Sequence, residues 1–536
     1  MTKSNQMILP IIFLMTGLFY PSLGQVDSSR LPIIVIQTYS QIKDEPKVSG
    51  SLLIYDGHPS GYNKLTHTPC LIHKIGIEYR GQTSQRLYPK KGFGFEFRDA
   101  EDQEKAVEVL NMPAASDWVI HSPYGDKTLM RNALIYEMAS DLFDYAPRTR
   151  FCELVLNGEY YGVTVLTESL RLGKNHVDIQ SATPQLIDGG YLLKFDKGED
   201  NEVAFVSSHS PVVNSPVRSK ILFHDPKADN ISKAQTQYIR SYLFQFEDLF
   251  THDDLYGTPE YHNWIDIKSF VRYMLLTELT RNVDGYRIST YFYKTPASQG
   301  ENLVAGPVWD YNIALGNADY CGGQNVEGWA WDFNKRCPDD SHLVHFWWRR
   351  FLQDPVFTEE LAKTYKHLRD EEWEDEEIEE LISSFYEILE EPQKRNFDKW
   401  KILGKKVWPN HFVGRSYQEE VDYLTDWIDR RLDWMDENID SIAYSPDRSD
   451  VVSYRIYPNP AYDIVNLDLT TAHPASVSVR IYDLLGRLVL TKSSSSNLSH
   501  DHHLSLTSSE LQGTYMLELT VNESHVASDK IVILPR

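Results

Sequence analysis

Apolar and polar residues alternate in short runs through the first part of the chain. On that alternation Leu31–Ile36, Ser51–Tyr55, Ile75–Tyr79 and Phe93–Phe97 read as β-strands. Phe151–Leu156 and Tyr161–Leu166 flank Asn157-Gly158, a turn pair that predicts a hairpin, and Gly190–Phe195 reads as a further strand. A period near 3.6 appears elsewhere. Met130, Leu134, Met138 and Leu142 predict a helix over Lys127–Phe143, and Ile231–Phe250 reads as helix throughout. Ile267, Phe270, Val271, Met274 and Leu275 form an apolar stripe behind Asp266, a good N-cap residue. Helical patterns dominate from Leu343 to Ile442. Strands first and helices later point to an α+β domain with two lobes.

The texture changes after a polar stretch, Tyr444–Ser453, which carries Pro446 and reads as a linker. Short alternating strands follow: Ile464–Leu469, Val477–Tyr482, Arg487–Thr491, His503–Leu506, Thr514–Val521 and Asp529–Leu534. They predict a small all-β sandwich. The expected organisation is a leader over 1–24, a large domain over 25–443, a linker over 444–453 and the sandwich over 454–536.

The leader rests on Lys3, the apolar run Ile8–Phe19, and small residues Ser22 and Gly24 before Gln25, the layout of a secretory signal peptide. An uncleaved anchor is the alternative, but the run is short for a span. No later stretch reaches the roughly 18–20 apolar residues a membrane helix needs, so no stable membrane span is expected after signal cleavage. The net charge of −24 argues against a nucleic-acid partner, which requires a basic face. The four cysteines include no C-x-x-C pair, against a zinc site. Cys321 and Cys337 bracket a Gly- and Trp-rich loop and are expected to pair, whereas Cys70 and Cys152 read either as a second bridge or as two buried thiols. His502-His503 reads as surface.

Candidate chemistry concentrates between residues 281 and 312. Arg281-Asn282-Val283-Asp284-Gly285 ends a helix, Tyr286–Lys294 alternates like a strand, and Leu303–Val308 is a second strand that ends in Trp309-Asp310-Tyr311-Asn312. Paired as a hairpin about residue 297, these strands would set Asp284 beside Asp310, because neighbouring strands lie ~5 Å apart. Two such carboxylates with the amide of Asn312 suit a divalent metal and a phosphate. Protein kinases use the same layout: an acid that accepts the substrate hydroxyl proton, then a hairpin, then an acid that holds Mg²⁺. Asp284-Gly285 also reads as an ordinary turn, and Asp310 as a loop cap. Glycine-rich loops and other standard kinase motifs are missing, as is a Walker A sequence.

Ordered along the chain are Tyr79–Ser84, Tyr88–Lys91, Asp117–Val119, Met130–Asn132, Gly162-Val163, Leu166–Glu168, Arg281–Gly285, Gly306–Asn312 and Gly316-Asn317. Together they make the stretch from Leu31 to about Ala443 resemble the CotH kinase family, a group of atypical kinases named for a spore-coat protein. The resemblance implies Asp284 as catalytic acid and Asp310 as Mg²⁺ ligand, with ATP as cosubstrate. Family members often carry a second Asp where this chain has Asn312, which can still bind metal through its carbonyl but adds no charge. Cations of the first lobe would meet the phosphates. By alternation Lys91 shares a face with Phe93, Phe95 and Phe97 and Lys90 lies on the other, so Lys91 is the expected phosphate lysine and an exposed Lys90 ordinary surface. Glu168 is its candidate ion-pair partner and Arg80 a second phosphate cation. Arg80 also reads as structural, Arg131-Asn132 as a polar clamp, and Lys194 as another candidate cation.

Tyr457–Pro460, Ile481–Arg487, Leu511–Tyr515 and the end at Lys530–Ile533 resemble the C-terminal sorting domain of the type IX (Por) secretion system of Bacteroidota. That resemblance implies export through the periplasm to the outer-membrane surface or beyond, with the secretion machinery as a partner. The expected function is thus an exported, ATP- and Mg²⁺-dependent kinase acting on Ser or Thr of exported proteins. The alternative is an inactive kinase-like surface scaffold that binds protein or polysaccharide.

Overall fold

The computed structural model describes residues 26–198, 202–211, 217–252, 260–442 and, with short breaks, 451–534. The expected leader over 1–24 lies outside the described residues, as does most of the expected linker. The chain divides into two compact units.

The first unit comprises residues up to 124 together with 149–168 and 384–403. Its strands are β1 (Ile33–Thr38), β2 (Val48–Tyr55), β3 (Leu71–Arg80), β4 (Gly92–Arg98), β5 (Val107–Val109), β6 (Met112–Ala115), β7 (Asp117–His121), β8 (Thr149–Leu156) and β9 (Glu159–Glu168). Seven of them close a barrel in the order β1-β2-β3-β4-β7-β9-β8, sealed by parallel pairing of β8 with β1, while β5 and β6 form a separate pair. The alternation read from sequence is the inside–outside alternation of this barrel. Ile34, Ile36, Leu52, Ile54, Ile75, Ile77, Phe93, Phe95 and Phe97 all point into one buried core with Trp118. Burial of each Phe contributes about 1.5–3 kcal/mol. Asn157 and Gly158, at φ 51° and 83°, turn β8 into β9 as the sequence signal predicts.

The helix Pro392–Lys399 lies against β9. Here Arg395 meets the buried Glu153, its Nε 3.0 Å from Oε1, and the indole of Trp400 donates to the Tyr161 carbonyl at 2.6 Å. Gly162 sits at φ 117° under this helix, and a Cβ there would stand 2.6 Å from the Asn396 Oδ1. Only glycine fits both the angle and the space.

The second unit holds the helix Arg131–Ser140 and strands β10 (Tyr191–Phe195), β11 (Val203–Val206), β12 (Lys220–Asp225), β13 (Thr290–Lys294) and β14 (Leu303–Ala305). The five form one antiparallel sheet, ordered β11-β12-β10-β13-β14. The expected helix at Ile231–Phe250 runs from Lys233 to His252. Ile267–Thr280 starts at Asp266, whose carboxylate accepts the Ser269 N–H at 3.0 Å, and stops at Arg281, which turns left-handed at φ 44°. The long helix Tyr417–Ile442 reaches it through Arg431, which donates to the Glu278 carbonyl from Nη2 at 2.7 Å.

Seven strands close the chain: β15 (Val451–Tyr457), β16 (Ile464–Thr471), β17 (Val477–Tyr482), β18 (Leu488–Ser494), β19 (Asp501–Thr507), β20 (Gly513–Val521) and β21 (Ser524–Ile533). They form a three-stranded sheet, β15-β16-β19, and a four-stranded one, β18-β17-β20-β21, with a shared core that includes Val465, Leu467, Val479 and Leu519. Strand β15 begins inside the stretch read as linker. Of the histidine pair, His503 is exposed but His502 is buried.

Cys321 and Cys337 form the expected disulfide. The other two cysteines are neither bridged nor both buried: Cys70 is an exposed free thiol and Cys152 a buried one. The two sit on the barrel unit at 70 and in β8, and burial pushes the Cys152 thiol up, which keeps it protonated.

Candidate functional site: two acid-bearing loops on a short ribbon

Strands β13 and β14 pair antiparallel, with Phe292 opposite Ala305 and Lys294 opposite Leu303. The ribbon exists, but it is shorter than the sequence suggests. Tyr286–Ser289 is not strand, because the Tyr286 ring is buried and its hydroxyl donates to Glu278 Oε1 at 2.9 Å. The second strand stops at Ala305, before Gly306 at φ 101° and Pro307, which has no N–H to offer a sheet.

Both acids therefore sit in loops beyond the ribbon's open end. Asn282 joins these loops: its Oδ1 accepts the Asp284 N–H at 3.1 Å and its Nδ2 lies 3.5 Å from the Asp310 carbonyl. The Asp284 carboxylate is half-buried and pairs with Arg287, Nη2 to Oδ1, at 3.0 Å. Burial raises its pKa above the ordinary carboxylate value, while Arg287 and Lys197 oppose that and Asp196 and Asp340 add to it. Asp310 is half-buried at φ 63°, a strained angle that Asp tolerates better than most residues. Its N–H donates to the Tyr136 hydroxyl at 3.0 Å. The carboxylates of Asp284 and Asp310 both act on Tyr320: burial raises its phenol most, and each carboxylate raises it further.

Arg131 and Asn132 clamp the second acid loop. Asn132 Oδ1 accepts the Tyr311 N–H at 2.7 Å, and Arg131 donates to the Ala314 and Leu315 carbonyls at 3.2 and 3.3 Å. Asn312 is half-buried, and its carbonyl accepts from Asn317 Nδ2 at 2.8 Å. Among the described residues no group of three or more His, Cys, Asp or Glu side chains is placed to hold a metal. Asp310 and Asn312 are the residues that would hold a Mg²⁺, an ion that takes one or two protein ligands and completes its shell with phosphate oxygens and water.

The burial that alternation predicts for the two lysines is reversed. Lys90 is the buried one, at 1% exposure, and its Nζ donates to the carbonyls of Pro123 and Val163 and to Asn396 Oδ1. Lys91 is half-buried, with its Nζ against the Gln85 carbonyl and 5.8 Å from the Tyr79 ring centroid. Strand β4 starts only at Gly92, so the parity of its phenylalanines does not extend back to Lys91. Arg80 ends β3 half-buried, and Glu168 ends β9 fully buried opposite Trp118. Lys194 pairs with Asp196 at 3.1 Å. Sequence reasoning missed Arg287, Tyr320 and Tyr136. Of these only Arg287, three residues after an acid, leaves any mark in the sequence.

The chain belongs to the CotH kinase protein family, whose model matches residues 77–435. A secretion system C-terminal sorting domain matches residues 455–534. Inner spore coat protein H of Bacillus subtilis (strain 168) is 22% identical over 242 residues, covering 45% of this chain and 59% of that protein. The chain thus spans about three-fifths of that relative's length. A solved chain of Pseudomonas fluorescens alkylpurine DNA glycosylase AlkC bound to DNA matches 34% of this chain and 53% of its own at 15% identity, but the TM-score of 0.12 carries no argument.

The sorting motifs have a local explanation. Asn459 knits the start of the domain to its last strand: Nδ2 donates to the Lys530 carbonyl at 2.7 Å and Oδ1 accepts the Val532 N–H at 2.9 Å. Asp483 accepts the Arg487 N–H at 3.0 Å and its Nε at 2.7 Å, which ties together the first and last residues of the D-x-x-G-R motif. This tail marks the chain for type IX export to the cell surface or the medium. Among the described residues no helix is long and apolar enough to cross a membrane.

Proposed function

We propose that the protein is an exported kinase that transfers the γ-phosphate of ATP to a Ser or Thr hydroxyl of exported or surface proteins. The observation that carries this reading is the Asn282 link, which sets the loops of Asp284 and Asp310 side by side at the open end of one ribbon. In this reading Asp284 orients the acceptor hydroxyl and takes its proton. Asp310 and Asn312 hold Mg²⁺, which would neutralise charge on the transferring phosphate. Arg80, Lys91 and Glu168 are proposed as nucleotide contacts, and the barrel unit and the helix-rich unit as the lobes of a kinase-like domain. A leader over 1–24 would start export through the periplasm.

One observation favours the second reading, a non-catalytic scaffold binding protein or polysaccharide: the amide at Asn312 leaves Asp310 as the only charge among the proposed metal ligands. Transfer of labelled phosphate from ATP, with and without Mg²⁺, separates the two. The kinase reading expects transfer by wild type and a loss of about 10²-fold or more in Asp284→Ala and Asp310→Ala. Equal label in wild type and both variants would sink it.

A further inference from the structure

We infer that Arg287 is the positioning residue for Asp284, fixing that carboxylate and tying its loop to the turn that follows the Cys321–Cys337 bridge. The inference rests on the kinase reading and adds to it a means of holding the base.

Arg287 is buried, and each of its nitrogens is spent on protein. Nη2 donates to Asp284 Oδ1 at 3.0 Å, Nε to the Val283 carbonyl at 2.7 Å, and Nη1 to Asp340 Oδ1 at 3.1 Å and the His342 carbonyl at 3.0 Å. The guanidinium lies 4.0 Å from the centroid of the Phe333 ring, inside the disulfide-bounded segment. A cation meant for substrate phosphate needs free donors. This one has its fork filled on both sides, so its work is orientation.

Asp340 is itself fixed. Its N–H donates to the Cys337 carbonyl at 3.2 Å, and its Oδ1 accepts the His342 N–H at 2.8 Å. A continuous set of contacts thus runs from the disulfide through Asp340 and Arg287 to the acid. Four charged groups act on Asp284: Arg287 and Lys197 favour its ionised form, and Asp196 and Asp340 oppose it, with Tyr320 also close. Arg287 is the one of these bonded to the carboxylate. A general base must be both ionised and aimed, and burial alone would leave Asp284 protonated over a wider pH range.

The test uses the full chain carrying Arg287→Met or Arg287→Lys. In phosphate transfer, Arg287→Met should lower kcat about 10–100-fold with the KM for ATP within about twofold, because only the base is misplaced. The acid limb of the kcat profile should move up by about one pH unit. Arg287→Lys should recover part of both, since it restores charge without the fork, and it carries the test should the Met variant fail to fold. The 13C carboxyl resonance of Asp284, assigned by its loss in Asp284→Asn, gives a readout independent of turnover, and its titration midpoint should rise in Arg287→Met. An unmoved midpoint, or a folded variant with wild-type kcat and acid limb, overturns the inference. Wild type that transfers no phosphate defeats the kinase reading instead, and the carboxyl titration still decides whether Arg287 holds Asp284.

Discussion

The barrel and the acid loops solve opposite problems. Barrel strands keep regular alternation, and the one lysine sealed inside that unit among the described residues, Lys90, meets three acceptors with its three N–H groups. The loops at 281–289 and 310–315 abandon regular structure. Arg281, Tyr286, Ser289, Asp310 and Leu315 all take positive φ without being glycine. Such angles cost about 1–3 kcal/mol each and persist only where surrounding contacts impose them. Here Arg131, Asn132, Tyr136 and Arg287 impose them. The lesson is that the barrel stores stability in burial, whereas the loops hold strained, acid-bearing backbone through side-chain tethers.

That contrast predicts where substitutions hurt. Lys90→Met should have the largest effect on stability. It removes the cost of burying a charge but leaves acceptors at Pro123, Val163 and Asn396 facing a methyl group. Each unmatched buried acceptor costs about 1–3 kcal/mol, so a net loss of about 3 kcal/mol is expected in urea unfolding. Wild type should also show a pH signature. Burial pushes the Lys90 ammonium down from 10.5 to about 7. The unfolded chain therefore binds more protons in that window, and stability should rise as pH goes from about 7 towards 10.5. The Met variant should lose that slope. A variant as stable as wild type would show that these contacts are not what secures the helix Pro392–Lys399 to β9.

Breaking the Cys321–Cys337 bridge should cost somewhat less. The bonded residues are 16 apart, and closing a loop of that size is worth about 3 kcal/mol. The loop keeps other anchors: Arg281 Nε donates to the Gly322 carbonyl at 2.8 Å and Arg336 Nη1 to the Trp329 carbonyl at 2.9 Å. The paired Ser variant should therefore lose about 2–3 kcal/mol in chemical unfolding and stay folded. A larger loss would place this loop with the barrel, as a main store of stability.

Sequence pattern foretold every barrel strand but β7, together with the Asn157-Gly158 turn, the Asp266 cap, the disulfide and most of the terminal sandwich, since each is a local signal. Barrel closure left no such mark, because it depends on β1 pairing with β8 more than a hundred residues away. Strand β15 was hidden in part because the stretch read as linker runs to Ser453 and so takes in its first residues, Val451 and Val452. Lys90 and Lys91 were exchanged because both precede β4, which starts at Gly92 after a bend at 89–90, and alternation has no meaning outside the strand. At the site, spacing gave the ribbon and the approach of the two acid loops. It gave neither the left-handed turns nor the tethers, since Tyr136 and Arg131 lie 174 and 183 residues before the positions they hold.

The smallest predicted stability change is the sharpest probe of the contrast. Tyr136→Phe removes one hydroxyl, the acceptor of the Asp310 N–H at 3.0 Å, and keeps the ring stacked on Trp309 at 5.8 Å between centroids. Loss of one such bond costs about 1 kcal/mol, and the Asn132 bond to Tyr311 still holds the loop. Asp310 stands at a strained angle, so even this release lets its backbone relax and carries the carboxylate with it. Displacement of a reacting group by about 1 Å can cost on the order of 10²-fold in rate. Tyr136→Phe should therefore unfold nearly with wild type yet lose at least about tenfold in phosphate transfer, the reverse of Lys90→Met. If the two variants lose activity in proportion to stability, the loops are not tethered strain, and the division between the regions fails.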